Sequence, residues 1–255
     1  MGNERPLALV TGGHRRLGGY ISAHLAHAGY ALAIHGSHDV ALAPELEGAL
    51  HESGAQWGGF VADFEQPASA CEMMQAVVAH FGRAPDLLVN SAALFGQDRL
   101  EDVSESDLMR HYAVNCAAPV LLTQAFAKAS EGSGHNRSII NILDQRLANP
   151  HGDQLGYTLA KQALAGFTRI AARELAGHGI RVNAVAPGLT IATDDYDAAH
   201  MARLARLMPL GRLPEAEEIA AAVLYLAQAR SVTAQVIAVD GGAHMQSHPR
   251  DFMHM

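Results

Sequence analysis

Cysteine is scarce in this sequence. Cys71 and Cys116 are the only two in 255 residues, far apart and without a CxxC spacing. That excludes a disulfide framework or a cysteine metal site, and leaves two small hydrophobes suited to a reducing compartment. Positive charge is also short: 18 Lys and Arg stand against 26 Asp and Glu, a net −8. Nucleic acid and anionic membranes both demand a basic face, so neither is an expected partner. No apolar run approaches the roughly 18 residues of a membrane span. The start, Met1-Gly2-Asn3-Glu4-Arg5-Pro6, lacks a signal peptide's apolar core and the Ser or Thr of a myristoylation site. The expectation is a soluble cytoplasmic protein.

What the chain does have is length and apolar content: 49% of its residues are hydrophobic. A chain this long buries about three quarters of its unfolded surface, enough for a core without staples. Short apolar runs recur, at 7–10, 31–34, 86–89, 138–143, 181–185 and 235–239, with a weaker one from Trp57 to Val61. Between them lie stretches with helical spacing. Leu17, Ile21 and Leu25 share a face, and so do Leu164, Phe167 and Ile170–Ala171. Ser104 with Asp107 suits a helix start, as does Pro214 with Glu215, Glu217 and Glu218. Continuous apolar strands alternating with helices predict a single-domain α/β fold. Its doubly wound parallel sheet has about seven strands and helices on both faces.

After the first strand comes Thr11-Gly12-Gly13-His14-Arg15-Arg16-Leu17-Gly18-Gly19, leading into a helix. Glycines there let backbone approach a pyrophosphate, and the helix N-terminus favours the anion. A glycine-rich turn alone is weak, but its place between strand and helix makes it a dinucleotide site. The second strand ends at Ile34-His35-Gly36-Ser37-His38, without the acid that an NAD site uses to hold ribose hydroxyls. Arg15, Arg16, His35 and His38 form a small basic mouth on an acidic protein, which favours NADP(H). Asp39 nearby is the one residue against it.

Tyr157 and Lys161 stand four residues apart on one helix face. A neighbouring cation lowers a phenol's pKa from about 10 and makes it a usable acid or base. YxxxK alone is common. In order along the chain, however, come the Thr11–Gly18 turn, Asp63, Asn90-Ser91-Ala92, Asn115, Tyr157/Lys161, Pro187-Gly188-Leu189-Thr190 and Asp240-Gly241-Gly242. Together they resemble the short-chain dehydrogenase/reductase family over nearly the whole chain.

That resemblance implies a Rossmann fold and a set of roles. Tyr157 is the proton donor, Lys161 depresses its pKa and binds the nicotinamide ribose, and Asn115 holds a water in the relay. Gly12, His14, Arg15, Arg16, Leu17, Gly18, His35, Ser37 and His38 line the cofactor's phosphates and adenosine ribose. Asp63 contacts the adenine. Asn90 and Ala92, with Pro187, Gly188 and Thr190, line the remaining cofactor wall. A satisfied buried amide is the plainer reading of Asn90 and Asn115. The resemblance also implies a homotetramer, a substrate lid at about 191–209 within a domain of residues 1–245, and a polar tail over 246–255. That tail either caps a neighbouring subunit's site or is disordered.

Two positions depart from the usual pattern. The middle glycine of TGxxxGxG is Arg16. The place of the active-site Ser, thirteen residues before the Tyr, is Asp144, and no Ser or Thr lies between residues 139 and 157. A carboxylate cannot donate to a ketone oxygen and would repel a developing oxyanion. It suits a substrate presenting N–H donors, such as the amino-pyrimidine edge of a pterin, and it could feed a proton to a ring nitrogen. Both departures resemble pteridine reductases and the related bacterial dihydromonapterin/dihydrofolate reductases. Phe95 matches the aromatic that in those enzymes stacks the pterin against the nicotinamide, whereas Ala93 stands where a polar Ser is frequent. The implied substrate-binding set is Arg16, Phe95, Asp144 and Tyr157, and the implied reaction reduces a dihydropterin C=N bond with NADPH.

Two alternatives stay open. One is a reductase of a ketone, sugar or acyl-thioester. The other is an NADP-binding regulatory protein with weak catalysis. The fifteen histidines are scattered, form no HExxH, and imply no metal site.

Overall fold

The seven apolar runs become seven parallel strands in a computed structural model that describes residues 5–132, 136–191 and 197–255. In chain order the elements are β1 (Leu7–Val10), α1 (Arg16–His27), β2 (Ala31–Gly36), α2 (Pro44–Ser53), β3 (Trp57–Val61), α3 (Ser69–Phe81) and β4 (Leu87–Asn90). Then come α4 (Glu105–Tyr112), a π turn (Ala113–Ala117), α5 (Ala118–Ala129), β5 (Arg137–Ile142), α6 (Leu155–Leu175) and β6 (Ile180–Pro187). The chain continues with α7 (Ala198–Leu207), α8 (Ala216–Gln228) and β7 (Val236–Val239). The strands lie in the order β3-β2-β1-β4-β5-β6-β7. The order reverses between β1 and β4, which opens a crevice at the carboxyl ends of those strands.

Side chains alternate across a strand, so each central strand feeds two cores. Ala8, Val10, Leu32, Ile34, Val89 and Ile140 pack under α1, α2 and α8. Leu7, Leu9, Ala33, Leu88 and Ile139 pack on the opposite face under α3, α5 and α6. This is why those runs read as continuously apolar: neither face meets water. Each buried Leu or Ile contributes about 1.5–3 kcal/mol. The edge strand β3 has one open face, and Trp57 and Val61 are exposed there, which explains its weaker pattern.

Ser104 caps α4, accepting from the Asp107 N–H at 3.1 Å. The last long helix starts later than Pro214 suggests. Glu215 is its N-cap and forms a reciprocal pair with Glu218, leaving Pro214 just outside. On α6, Leu164 and Ala171 are buried, but Ile170 is 67% exposed. One residue is 100° of helix, so Ile170 swings off the face that Ala171 occupies.

Of the lid expected at about 191–209, the stretch with Asp194, Asp195 and Tyr196 lies outside the described residues. Its described part is Ile191 and residues 197–209, mostly α7, capped by Asp197. Leu204 and Met208 of this part pack with Ala243 and Phe252. The tail therefore folds back on its own chain, contrary to the expected disorder. Phe252 is buried in that cluster, and Asp251 is buried against Asp153 and Arg146.

Candidate active site

The turn after β1 is built to be approached closely. Gly12 has φ +60°, and a Cβ there would lie 3.1 Å from the Ala92 Cα. A Cβ on Gly18 would lie 2.0 Å from the Gly12 carbonyl oxygen. Thr11 Oγ1 ties the turn to β4 by accepting from the Ser91 and Ala92 N–H groups at 2.9 and 3.0 Å. Arg16 has φ +51°, the left-handed conformation that the missing glycine would adopt without strain. A side chain that carries charge is kept there at a conformational cost of about 1–3 kcal/mol, as functional sites commonly do. Arg15 and Arg16 are both exposed. This bare, cationic helix start fits a dinucleotide's phosphates.

His35 does not belong to the basic mouth. It is buried, its Nδ1 accepts from Gly12 N–H at 3.0 Å, and its Nε2 donates to the Ala62 carbonyl at 2.9 Å. Burial pushes its pKa down to about 4, and its ring stacks on Phe64 at 4.3 Å. A neutral imidazole that shapes the turn thus replaces the expected cation. His14 is buried as well, 3.3 Å from the His35 carbonyl. Ser37 and His38, bonded to each other at 2.9 Å, remain exposed at the end of β2, and so does Asp39, which accepts from Ala41 N–H at 3.1 Å. Asp63 sits half-buried after β3 and accepts from Glu65 N–H. Asn90 donates to Asn141 Oδ1 at 2.8 Å, while its own buried Oδ1 has no partner among the described residues. On the far wall Gly188 lies against Asp240, where a Cβ would come within 2.8 Å. Thr190 donates to the Gly188 carbonyl at 2.9 Å. Leu17 packs into the core below, and Pro187 closes β6.

The reacting pair stands at the ends of β5 and α6. Tyr157, 2% exposed, donates its hydroxyl hydrogen to Asp144 Oδ2 at 3.0 Å. Phe95 stacks on the phenol ring, centroids 4.4 Å apart and planes at 27°. Lys161 is buried and donates to the Ile142 carbonyl at 2.7 Å, 5.8 Å from the ring centroid. Its pKa is lowered to about 8 by burial, which Asp144 partly opposes. The phenol moves opposite to the sequence expectation. Burial and the Asp144 carboxylate push it well above its ordinary value, and the cation that pulls it down is Arg146. Tyr157 is therefore a protonated donor in this state.

Asn115, wholly buried in the π turn, clamps the loop that carries Phe95. Its Oδ1 accepts from Leu94 N–H and its Nδ2 donates to the Leu94 carbonyl, both at 2.9 Å. The amide is satisfied by the backbone beside Phe95. Such π turns recur at functional sites.

Arg146 is the residue that sequence reasoning passed over. It is buried, and its three nitrogens serve three partners: Nε to Asp144 Oδ1 (3.2 Å), one terminal nitrogen to Gln154 Oε1 (2.7 Å), the other to Asp251 Oδ2 (2.9 Å). Its guanidinium carbon lies 5.3 Å from the Tyr157 ring centroid. Gln154 holds φ +56° at the head of α6. The only signal in the sequence was a lone Arg two residues after the unusual Asp144.

The sequence profile of the Enoyl-(Acyl carrier protein) reductase family matches residues 14–244. The chain belongs to the short-chain dehydrogenase/reductase family. The fold is similar to the crystal structure of FolM alternative dihydrofolate reductase 1 from Brucella canis complexed with NADP. There the TM-score is 0.87 and the identity 34%, over 96% of each chain. Among curated relatives, pteridine reductase 1 of Leishmania tarentolae is 33% identical, over 93% of this chain and 96% of its own length. The (3R)-3-hydroxyacyl-CoA dehydrogenase of Mus musculus is 35% identical, over 94% and 96%. As a short-chain reductase the protein is an oxidoreductase, and Asp144 remains its conspicuous departure. Among the described residues no helix is long and apolar enough to cross a membrane, and no three His, Cys, Asp or Glu side chains could hold a metal ion.

Proposed function

We propose that the protein is an NADPH-dependent reductase of the C=N bond of a dihydropterin-type substrate. The observation that carries this reading is the Tyr157–Asp144 hydrogen bond, which puts a carboxylate where a donor hydroxyl would serve a ketone. A pterin's amino-pyrimidine edge offers the N–H donors that a carboxylate accepts. The FolM and pteridine reductase relatives support the same reading.

The Gly12–Gly18 turn, with the exposed Arg15 and Arg16, would hold NADPH, which when bound would supply the hydride for the C=N carbon. Tyr157 delivers its proton to the adjacent nitrogen, leaving a phenolate that the nearby cations Lys161 and Arg146 stabilise. Asp144 holds the donor edge of the ring and orients Tyr157. Phe95, freed from the phenol, supplies the stacking face, worth about 0.5–1.5 kcal/mol beyond burial. Lys161, beside the phenol, refills its proton, and Asn115 holds the Phe95 loop in place through Leu94. Asp63, Asn90, Ala92, Ser37, His38, Pro187, Gly188 and Thr190 line the remaining cofactor wall.

The assembly is read as a homotetramer. An exposed apolar set on α4 and α6, Met109, Tyr112, Leu159 and Ile170, supports association through those helices.

A second reading, carbonyl reduction of an acyl-thioester, is favoured by the 35% identity to a hydroxyacyl-CoA dehydrogenase and by the intact Tyr157/Lys161 pair. Following NADPH absorbance with dihydropterins, dihydrofolate and a ketone and 3-oxoacyl-thioester panel separates the two. Turnover of carbonyls without pterins would overturn the first.

A further inference from the structure

Asp144 and Tyr157 are held by a chain of buried charges that runs to the end of the protein. Asp144 Oδ1 accepts twice from Arg146, from its backbone N–H at 2.9 Å and from Nε at 3.2 Å, which leaves Oδ2 to the phenol. The Arg146 fork is in turn fixed from the far end of the chain. Asp251 takes one terminal nitrogen through Oδ2 and caps the last turn of the tail by accepting from Met253 N–H through Oδ1. Asp251's own N–H donates to Asp153 Oδ2 at 2.8 Å, and Arg250 grips the same carboxylate at 2.8 and 3.0 Å. Asp153 also pairs with Arg99 at 3.0 Å. Asp153 and Asp251 are both at least 95% buried. An arrangement of this kind holds its geometry well and is costly to leave half-made.

We infer that the carboxy-terminal segment is part of the catalytic apparatus: Asp251 orients Arg146, and Arg146 is the positioning residue that aims the Asp144 carboxylate at Tyr157 and the substrate. The inference rests on the reading of Asp144 and Tyr157 as the working pair. It assigns a functional task in cis to a tail that otherwise only completes a small cluster of Leu204, Met208, Ala243 and Phe252. Planarity is the requirement. Three partners lie around one flat guanidinium, and a lysine's single nitrogen cannot serve all three.

The test is a double-mutant cycle on the full chain. Asp251→Asn is made alone and with Asp144→Asn, and each protein is assayed for kcat/KM with a dihydropterin and for NADPH affinity by fluorescence. Asp251→Asn is expected to lower kcat/KM tenfold or more with NADPH affinity within twofold of the parent. In the Asp144→Asn background, where no carboxylate remains to be aimed, it should lower kcat/KM less than twofold further. Arg146→Lys is the second variant, for the case that Asp251→Asn does not fold, and should show the same loss and the same dependence on Asp144. Asp251→Glu should retain most of the activity. Equal fold-losses in both backgrounds, or a fully active Asp251→Asn, would overturn the inference and reduce the tail to a structural element. If the parent turns over carbonyls and not pterins, the substrate reading fails by itself, and the cycle with the carbonyl substrate still decides the role of Asp251.

Discussion

The Tyr157 hydroxyl donates to Asp144 Oδ2 across 3.0 Å beneath the ring of Phe95. The phenol is both sealed from water and attached to an acceptor, so its proton stays on. For a reductase this is the useful state, because the group must begin each cycle as an acid. Replacing Tyr157 with Phe removes the proton donor and keeps the ring that stacks on Phe95. The kcat of dihydropterin reduction should fall by about 10²–10⁴-fold, with NADPH affinity changed less than threefold. Stopped assays at high enzyme concentration, alongside a fluorescence titration of NADPH, measure both.

Asp144→Ser restores the hydroxyl that the family places there. Dihydropterin turnover should fall at least a hundredfold while reduction of a simple ketone rises. Arg146 loses one carboxylate but keeps Asp251 and Gln154, so the fold survives at a cost of about 1–3 kcal/mol. Urea midpoints and the two activities, measured on one preparation, check it.

His35 gives the protein an acid-side weakness. Its folded pKa is about 4, below the unfolded value of about 6.5. Between those values the unfolded chain binds the proton more readily, so stability falls as pH drops through the window and is regained above it. From pH 7 to pH 5 this one group accounts for about 2 kcal/mol. His35→Gln keeps a donor for the Ala62 carbonyl and an acceptor for the Gly12 N–H but cannot titrate. Its melting temperature should drop less between pH 7 and pH 5 than the parent's, by calorimetry in matched buffers. An equal drop would place the acid sensitivity elsewhere.

The sheet was legible because each central strand serves two cores and therefore shows as an unbroken apolar run. The Gly12–Gly18 turn, Tyr157, Lys161 and Asp144 were legible because spacing along the chain fixes their place at strand ends and on one helix face. Charge was harder to read. His35 looks like a cation beside Arg15 and Arg16, but a β2 side chain pointing inward toward Phe64 cannot keep a proton. The phenol's direction of shift was misread for a related reason: burial and the Asp144 carboxylate outweigh the cation that opposes them, Arg146. Arg146, Gln154 and Asp251 meet across as many as 105 residues of chain, and no local pattern announces such a meeting. The tail looked disordered because its composition is polar, yet Asp251 and Arg250 are partnered by the buried charges of Arg146 and Asp153.

Arg15 and Arg16 are the cations left for a 2′-phosphate and pyrophosphate once His35 is withdrawn. Arg16→Gly relieves the positive φ and removes the charge. The protein should become slightly more stable while NADPH affinity falls about tenfold. Arg15→Ala should weaken NADPH more than NADH. Fluorescence titrations of both cofactors at two salt concentrations check this, and the parent's preference for NADPH should shrink as salt rises.

The central claim is that Asp144 makes this a reductase of an N–H-bearing ring rather than of a carbonyl. Initial rates of NADPH oxidation, with a dihydropterin and a 3-oxoacyl-thioester each at saturation, test it most directly when run on the parent and on Asp144→Ser. The parent should prefer the dihydropterin by at least a hundredfold in kcat/KM, and the substitution should reverse the preference. A parent that reduces the thioester faster, or a preference that Asp144→Ser leaves unmoved, would contradict it.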